Sequence, residues 1–173
     1  MKNLIRKILK EVVDGLDLKD YPRTKQGWKL DQLNWFRELL PNMPNYIIMD
    51  IFGKKNEKPY TYEEMKSLVE LFGGYKWKLK KDFPISLDIF DAPTIQYMKQ
   101  REGGLKNPFN VPNDLKRHQY QAKKIQGNIP TEHIILLKKG EKYELVEGWH
   151  RTIQLLNRYP EGYIYPQVYI GYK

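Results

Sequence analysis

The sequence predicts an α/β (α+β) fold, with a small mixed β-sheet in the last third of the chain and a mostly helical N-terminal extension. Apolar residues recur at helical spacing through much of the first 110 residues, whereas a helix, a hairpin, a helix and a strand follow residue 111. The segment 106–112 between these parts is rich in proline and asparagine, which favours a boundary there. We divide the chain into 1–110, of unassigned role, and 111–173; the two parts can also form one compact domain.

The composition excludes several classes of protein. Because the chain has no cysteine, disulfides, thiolate zinc sites and cysteine nucleophiles are ruled out for it. The hydrophobic content of 40% is enough for a core, and no apolar run approaches the roughly 18 residues that a membrane span requires. The sequence therefore predicts a soluble, cytoplasmic protein without a membrane span.

The chain carries a formal net charge of +9, from 30 basic and 21 acidic residues. Such an excess attracts polyanions such as nucleic acid, nucleotides or an anionic membrane surface, although a lysine-rich surface also serves solubility alone. Composition leaves nucleic-acid contact and mere solubility equally open.

The N-terminal part alternates helical and extended patterns. Residues 3–13 form a basic amphipathic helix that either packs on the domain or lies on a membrane surface. Thr61 and Glu64 have the spacing of a capping box, which predicts a helix start. The predicted helices span 3–13, 29–40, 61–71 and 93–100, and the predicted strands span 46–52, 75–80 and 84–90.

The strand at 75–80 alternates aromatic or aliphatic residues with lysines, which places one basic face on a half-exposed strand. Two interpretations remain open. The lysines protect the edge of the sheet from pairing with other chains, or they form a face for nucleic acid. The first of these needs no ligand.

The C-terminal part has clearer signals. The apolar run 133–137, the charged turn 138–142 and the segment 143–146 predict a β-hairpin. A glycine then breaks the second strand, and the next apolar residues return to helical spacing. The predicted elements are a helix at 114–126, the hairpin, a helix at 149–159 and a last strand at 163–172.

The chemistry is concentrated in the turn Glu147-Gly148-Trp149-His150-Arg151-Thr152, where this strand gives way to a helix. The first turn of a helix has unpaired N–H groups and the positive end of the dipole, so it attracts anions. Gly148 allows close approach to the backbone, and Arg151 can hold a phosphate with two parallel hydrogen bonds. His150 can donate a hydrogen bond or move a proton. Thr152 can cap the helix or contact a phosphate oxygen.

This arrangement resembles the ParB/sulfiredoxin superfamily, whose members have a helix, a β-hairpin, a Gly-x-His-Arg or Gly-x-Arg-Arg turn, a helix and a closing strand. The resemblance covers about residues 112–172. It implies that Gly148, His150 and Arg151 hold nucleotide phosphates, with Thr152 assisting, and that the ligand is ATP or CTP with magnesium. Sulfiredoxins carry an essential cysteine where this chain has Trp149, so the resemblance does not extend to sulfinic acid reduction.

Other members of the superfamily leave several activities open. ParB proteins bind CTP and clamp onto DNA with a further helix-turn-helix domain, for which the sequence shows no pattern. Free-serine kinases of this fold carry an aspartate where this chain has Glu147, which implies a base or a magnesium ligand there. Many phage and plasmid members are ParB-like nucleases. The resemblance therefore implies a nuclease, an NTPase, a phosphotransferase, or a non-catalytic DNA-binding or adaptor protein.

Simpler structural roles compete with each of these assignments. His150 and Arg151 can cap the helix and pair with a glutamate, and Glu147 can form a plain salt bridge. Trp149 either stacks on a base or is a half-buried structural residue. The other histidines, His118 and His133, lack the spacing of metal ligands, so the sequence predicts no zinc site.

Overall fold

The computed structural model describes residues 27–52, 60–102, 114–126 and 128–173. Within these residues the chain forms six α-helices and one four-stranded mixed β-sheet, which confirms the predicted α/β class. It divides into two compact units, Met1–Lys76 and Trp77–Lys173. The helix predicted at 3–13 and the boundary predicted at 106–112 lie outside the described residues.

The first unit contributes three helices, α1 (Gly27–Leu39), α2 (Asn45–Ile51) and α3 (Tyr62–Phe72). Helix α3 begins with the predicted capping box. The Glu64 backbone N–H donates to Thr61 Oγ1 at 3.2 Å, and the Thr61 N–H donates to Glu64 Oε2 at 2.9 Å. The sequence pattern was sufficient here because both partners lie within one turn of the chain.

The strand predicted at 46–52 is wrong, because this segment forms α2. Pro44, at φ −56° and ψ 140°, stands at the N-cap and directs the chain into the helix. Ile47 and Ile48 are buried, and the ring of Phe52, just after the helix, stacks on Phe36 with 3.8 Å between centroids. The β-branched residues that suggested a strand are held in a helix by tertiary packing, which outweighs a small intrinsic preference.

The second unit is built on the sheet, whose strand order is β1-β4-β2-β3. The predicted hairpin, the helix before it, the helix after it and the closing strand are all confirmed. The elements are β1 (Lys76–Ile85), α4 (Ala92–Glu102), α5 (Asp114–Lys124), β2 (Ile134–Lys139), β3 (Lys142–Glu147), α6 (Trp149–Arg158) and β4 (Tyr163–Tyr172).

The strand predicted at 84–90 is wrong in most of its length. The strand predicted at 75–80 continues as β1 to Ile85, and a short 3-10 turn occupies Leu87–Ile89. Asp82 adopts a positive φ of 50° within β1, so the proline-containing stretch that follows is the end of one strand and not a new one.

Strand β2 lies inside the sheet, antiparallel to β3 and parallel to β4. Its four apolar residues from Ile134 to Leu137 are buried, as expected of a strand with neighbours on both sides. Helix α6 packs its apolar face onto the same core. The core cluster comprises Ile85, Phe90, Met98, Ile125, Ile134, Leu136, Leu145, Ile153, Leu155, Tyr163, Tyr165, Val168 and Ile170.

The outer edge of β3 is covered by the segment that leads into α4. The Asp91 N–H donates to the Tyr143 carbonyl at 2.9 Å, and the Leu145 N–H donates to Thr94 Oγ1 at 3.3 Å. Asp91 also caps α4, since its Oδ1 accepts from the Thr94 N–H at 2.9 Å. Backbone groups at a strand edge need partners when they are buried, and Thr94 supplies one from a side chain that is only 2% exposed.

Replacing Thr94 by valine tests whether the fold depends on the hydrogen bond from the Leu145 N–H to the Thr94 hydroxyl. Thr94→Val keeps the shape but leaves the Leu145 N–H without an acceptor, which should cost about 1–3 kcal/mol of unfolding free energy. Thr94→Ser keeps the acceptor and serves as the control. Hydrogen exchange of the Leu145 amide should accelerate in Thr94→Val and not in Thr94→Ser; equal protection in both variants would contradict the assignment.

Candidate functional site

The candidate site is the Gly148 turn, residues Glu147 to Thr152, at the junction of β3 and α6. The register of the hairpin shifts just before it: Leu136 pairs with Leu145, whereas Ile135 pairs with Glu147. One extra residue, Val146, is therefore accommodated in β3 as a bulge. Bulges bend a strand and redirect the residues beyond them, which sets the direction in which the chain enters α6.

Gly148 is required by the fold itself. It stands at the N-cap of α6 with φ 100° and ψ 17°, a left-handed conformation that disfavours side chains. A Cβ atom there would lie 3.1 Å from Ile134 Cγ1 and 3.5 Å from Arg151 Nη2. The glycine is buried, so the close neighbours of its Cα are protein atoms of β2 and α6. The backbone conformation and the packing of Gly148 therefore explain the glycine without the close approach of a ligand that the sequence predicted.

The start of α6 lacks a side-chain cap, and the nearest carboxylate in the sequence, that of Glu147, stands just before Gly148. Glycine offers no side chain to cap it, and no acidic residue lies in its first turn. His150 and Arg151 occupy that turn instead. Helices ordinarily favour carboxylates at this end, because their dipole places partial positive charge there. The first turn of α6 therefore combines the dipole with basic side chains.

Arg151 is a buried cation held by a backbone carbonyl. Its side chain is 7% exposed, and Nη2 donates to the His133 carbonyl at 2.7 Å. Nε has no hydrogen-bond partner, and within the described part of the chain no carboxylate forms an ion pair with this guanidinium. The side chain thus links the first turn of α6 to the residue that precedes β2, and it retains unused donor capacity.

His150 and Trp149 are half-buried and lie at the same helix start. Trp149 Nε1 donates to the Val146 carbonyl at 3.2 Å, and its ring lies 5.8 Å from that of Tyr97 in α4. Trp149 therefore packs against the core and against α4, as the structural interpretation of this residue expects. Tyr97 is a neighbour of the turn that sequence reasoning missed, because it lies 52 positions earlier and only the fold brings it near.

Thr152 is fully buried and neither caps α6 nor reaches the surface. It lies beside the buried hydroxyl of Tyr163, on β4. Burial raises the pKa of Tyr163, and the adjacent Thr152 hydroxyl and Arg151 partly oppose that rise. Neither hydroxyl completes a hydrogen bond of good geometry within the described residues. Thr152 was predicted to contact a phosphate, but its burial keeps it from a ligand at the surface.

Glu147 and His133 lie at the two sides of the turn. Glu147 is the half-buried last residue of β3, directly before Gly148. His133 offers its carbonyl to Arg151, and its ring lies 4.9 Å from that of Tyr169. His133 thus joins the site through its backbone, a role that no pattern of side chains could have predicted. The side chain of His118 lies outside the described residues.

Comparisons with protein-family models, with curated proteins and with solved structures found no match for this chain.

Metal-ligand clusters and membrane-spanning helices are both absent from the described residues. No group of three or more histidine or carboxylate side chains there is arranged to hold a metal ion. No helix there has the length and apolar character needed to cross a membrane.

A shallow groove of about 470 Å³ lies elsewhere, along α4. Its wall residues are Ala92, Ile95, Gln96, Lys99 and Gln100, so it contains none of the predicted site residues. The lining surface is mainly apolar and carries one basic side chain, Lys99, whereas the Gly148 turn places His150 and Arg151 in the first turn of a helix. The chemistry therefore favours the turn over this groove as the site.

Substituting Gly148 should cost more than substituting Gly140, another glycine of positive φ. A Cβ added to Gly140, at φ 58°, would meet nothing within 4 Å, and alanine can occupy that left-handed region at a cost of roughly 1–2 kcal/mol. Gly148, at φ 100°, lies beyond that region, and its Cβ would lie 3.1 Å from Ile134 Cγ1. Urea unfolding should therefore show a larger loss for Gly148→Ala, from backbone strain and packing together, and equal losses would contradict this.

Proposed function

We propose that the Gly148 turn binds the phosphate of a nucleotide or nucleic acid, as the ParB/sulfiredoxin resemblance implies. The observation that carries the proposal is Arg151: a nearly buried guanidinium, without a carboxylate partner in the described residues, in the first turn of a helix that lacks a side-chain cap. Burying a charge is costly unless it is paired, and one carbonyl satisfies only part of a guanidinium.

An anion at this position would meet three favourable features together. The dipole of α6 and its first N–H groups attract negative charge, Arg151 adds a full positive charge behind them, and His150 adds a donor at the half-exposed surface. Phosphate suits this set better than a carboxylate does, because it presents more acceptor oxygens to diverging donors. The chain's net charge of +9 would also steer polyanions towards it.

ATP or CTP with magnesium is the ligand that the resemblance favours. Glu147, directly before Gly148, stands where a carboxylate could hold magnesium or accept a proton from a nucleophile. A ParB-like nuclease, an NTPase and a phosphotransferase share this requirement, whereas a DNA-binding or adaptor protein would bind phosphate without turnover.

Nucleotide titration tests whether the Gly148 turn binds phosphate. Isothermal titration with ATP, CTP and GTP, each with and without magnesium, should give saturable binding to the wild-type chain. His150→Ala removes one charge-assisted donor and should weaken binding about tenfold. Arg151→Met should weaken it further, but it also removes the bond to His133 and should lower stability by about 1–3 kcal/mol. The half-exposed His150 variant therefore carries the test if Arg151→Met unfolds.

Arg158→Met is the matched control for the titration. Arg158 lies on the same helix and also donates to a backbone carbonyl, that of Ile125 at 2.8 Å, but at the opposite helix end. Its loss should leave nucleotide affinity unchanged. If nucleotide affinity is unchanged in His150→Ala, or falls equally in Arg158→Met, the phosphate binds elsewhere.

Glu147→Gln separates binding from turnover. If the chain is an enzyme, this variant should bind magnesium-free nucleotide as tightly as the wild type and lose product formation, because the amide can neither accept a proton nor hold magnesium well. Release of phosphate or cleavage of labelled DNA is the measurement. Unchanged turnover would remove Glu147 from the mechanism.

A further inference from the structure

A second group of side chains, at the other end of the sheet, has no role in the Gly148 turn. Strands β1 to β4 each contribute to it, and we call it the aromatic–lysine cluster: Lys78, Phe83, Lys138, Tyr143 and Tyr172. Lys138 is four residues along β2 from Ile134, the neighbour of Gly148, so the cluster lies about 13 Å from the turn.

The contacts within the cluster alternate between cations and rings. Lys138 Nζ lies 4.4 Å from the ring centroid of Tyr143 and 3.5 Å from its hydroxyl oxygen. Lys78 Nζ lies 5.7 Å from the ring centroid of Tyr172, and Phe83 meets Tyr143 edge to face at 5.6 Å. Leu137 pairs with Gly171 in the parallel register of β2 and β4, so the next residues on these strands, Lys138 and Tyr172, are neighbours across the two strands.

The lysines Lys78, Lys80 and Lys138 carry no ion pair with a carboxylate of the residues that the structure describes. Lys78 and Lys80 are exposed and two residues apart on β1, so they share one side of that strand. The three rings pack on the core with part of their surface and are half-buried, so each keeps a solvent-facing part.

Protection of a sheet edge accounts for only part of this arrangement. Strand β1 is the edge of the sheet, so its lysines can serve that purpose. Lys138, however, is on β2, which has hydrogen-bonded strands on both sides and no edge to protect. Edge protection also gives no reason for tyrosines from two further strands to gather around that lysine.

We propose that the aromatic–lysine cluster is a binding surface for single-stranded nucleic acid, separate from the Gly148 turn. Single strands present both flat bases and phosphates, and they are bound where aromatic rings alternate with cations. The ammonium groups now over the rings sit on flexible stems, so they can move to phosphates as bases take the ring faces. Duplexes hide their bases and acidic peptides have none, so either would use only the lysines.

The test uses fluorescence anisotropy of the full chain with labelled oligothymidine and oligouridine of about 12 nucleotides. Both should bind, because each presents unpaired bases and phosphates. Tyr172→Leu should lower the affinity about tenfold, while Tyr172→Phe, which keeps the ring, should stay within about twofold of the wild type. Wild-type affinity in Tyr172→Leu would overturn the proposal.

The lysines are tested by salt dependence. Each lost phosphate contact lowers the slope of log affinity against log salt by about 0.7 for a single strand, so Lys78→Gln/Lys138→Gln should lower it by about 1.4. Lys123→Gln, which removes an exposed lysine of α5, is the control and should leave affinity within about twofold. An equal loss in Lys123→Gln, or equally tight binding of a duplex or of polyglutamate, would overturn the proposal.

The two surfaces are separated by repeating the mononucleotide titration on Lys78→Gln/Lys138→Gln. Unchanged mononucleotide affinity, together with weakened oligonucleotide binding, supports a distinct surface. Loss of both would mean that the cluster is part of one continuous site and would overturn the inference. If the wild-type chain binds no mononucleotide, only the proposal for the Gly148 turn fails, because the oligonucleotide results stand on their own variants.

Discussion

The hydrogen bond from Arg151 to the His133 carbonyl is the constraint around which the Gly148 turn is arranged. It joins the first turn of α6 to the entry of β2, the buried strand of the sheet. The guanidinium lies beside Gly148, where an added Cβ would be 3.5 Å from Nη2 and only 3.1 Å from Ile134 Cγ1. Glycine, arginine and the bulge before them are therefore parts of one local arrangement.

Under the proposed function, Arg151 would serve both the fold and the phosphate site with the same side chain. A guanidinium has five N–H donors, and the His133 carbonyl engages only Nη2. The fold therefore gains a link between helix and sheet and keeps a buried positive charge at a helix start. The electrostatic cost of that charge falls when an anion is present, so ligand binding would also stabilise the fold.

The distribution of basic groups divides the second unit into two ends. At one end the charge is buried and accompanied by a helix dipole, which suits a compact phosphate. At the other end lysines lie over tyrosine and beside phenylalanine on the strands, which suits an extended strand of bases. Under the two proposals, these basic groups would serve two chemically different kinds of binding.

Local patterns by themselves determined the hairpin, the capping box of α3, and the break at Gly148 with the helix after it, because each depends on residues only a few positions apart. The sequence also singled out the six residues of the turn. Only the tertiary structure decided that 45–51 is a helix, that Thr152 is buried, and that Arg151 binds the carbonyl of His133. The physical reason is that burial and backbone hydrogen bonding depend on residues distant in the chain, such as Ile134 and Tyr163, whose proximity no local period encodes.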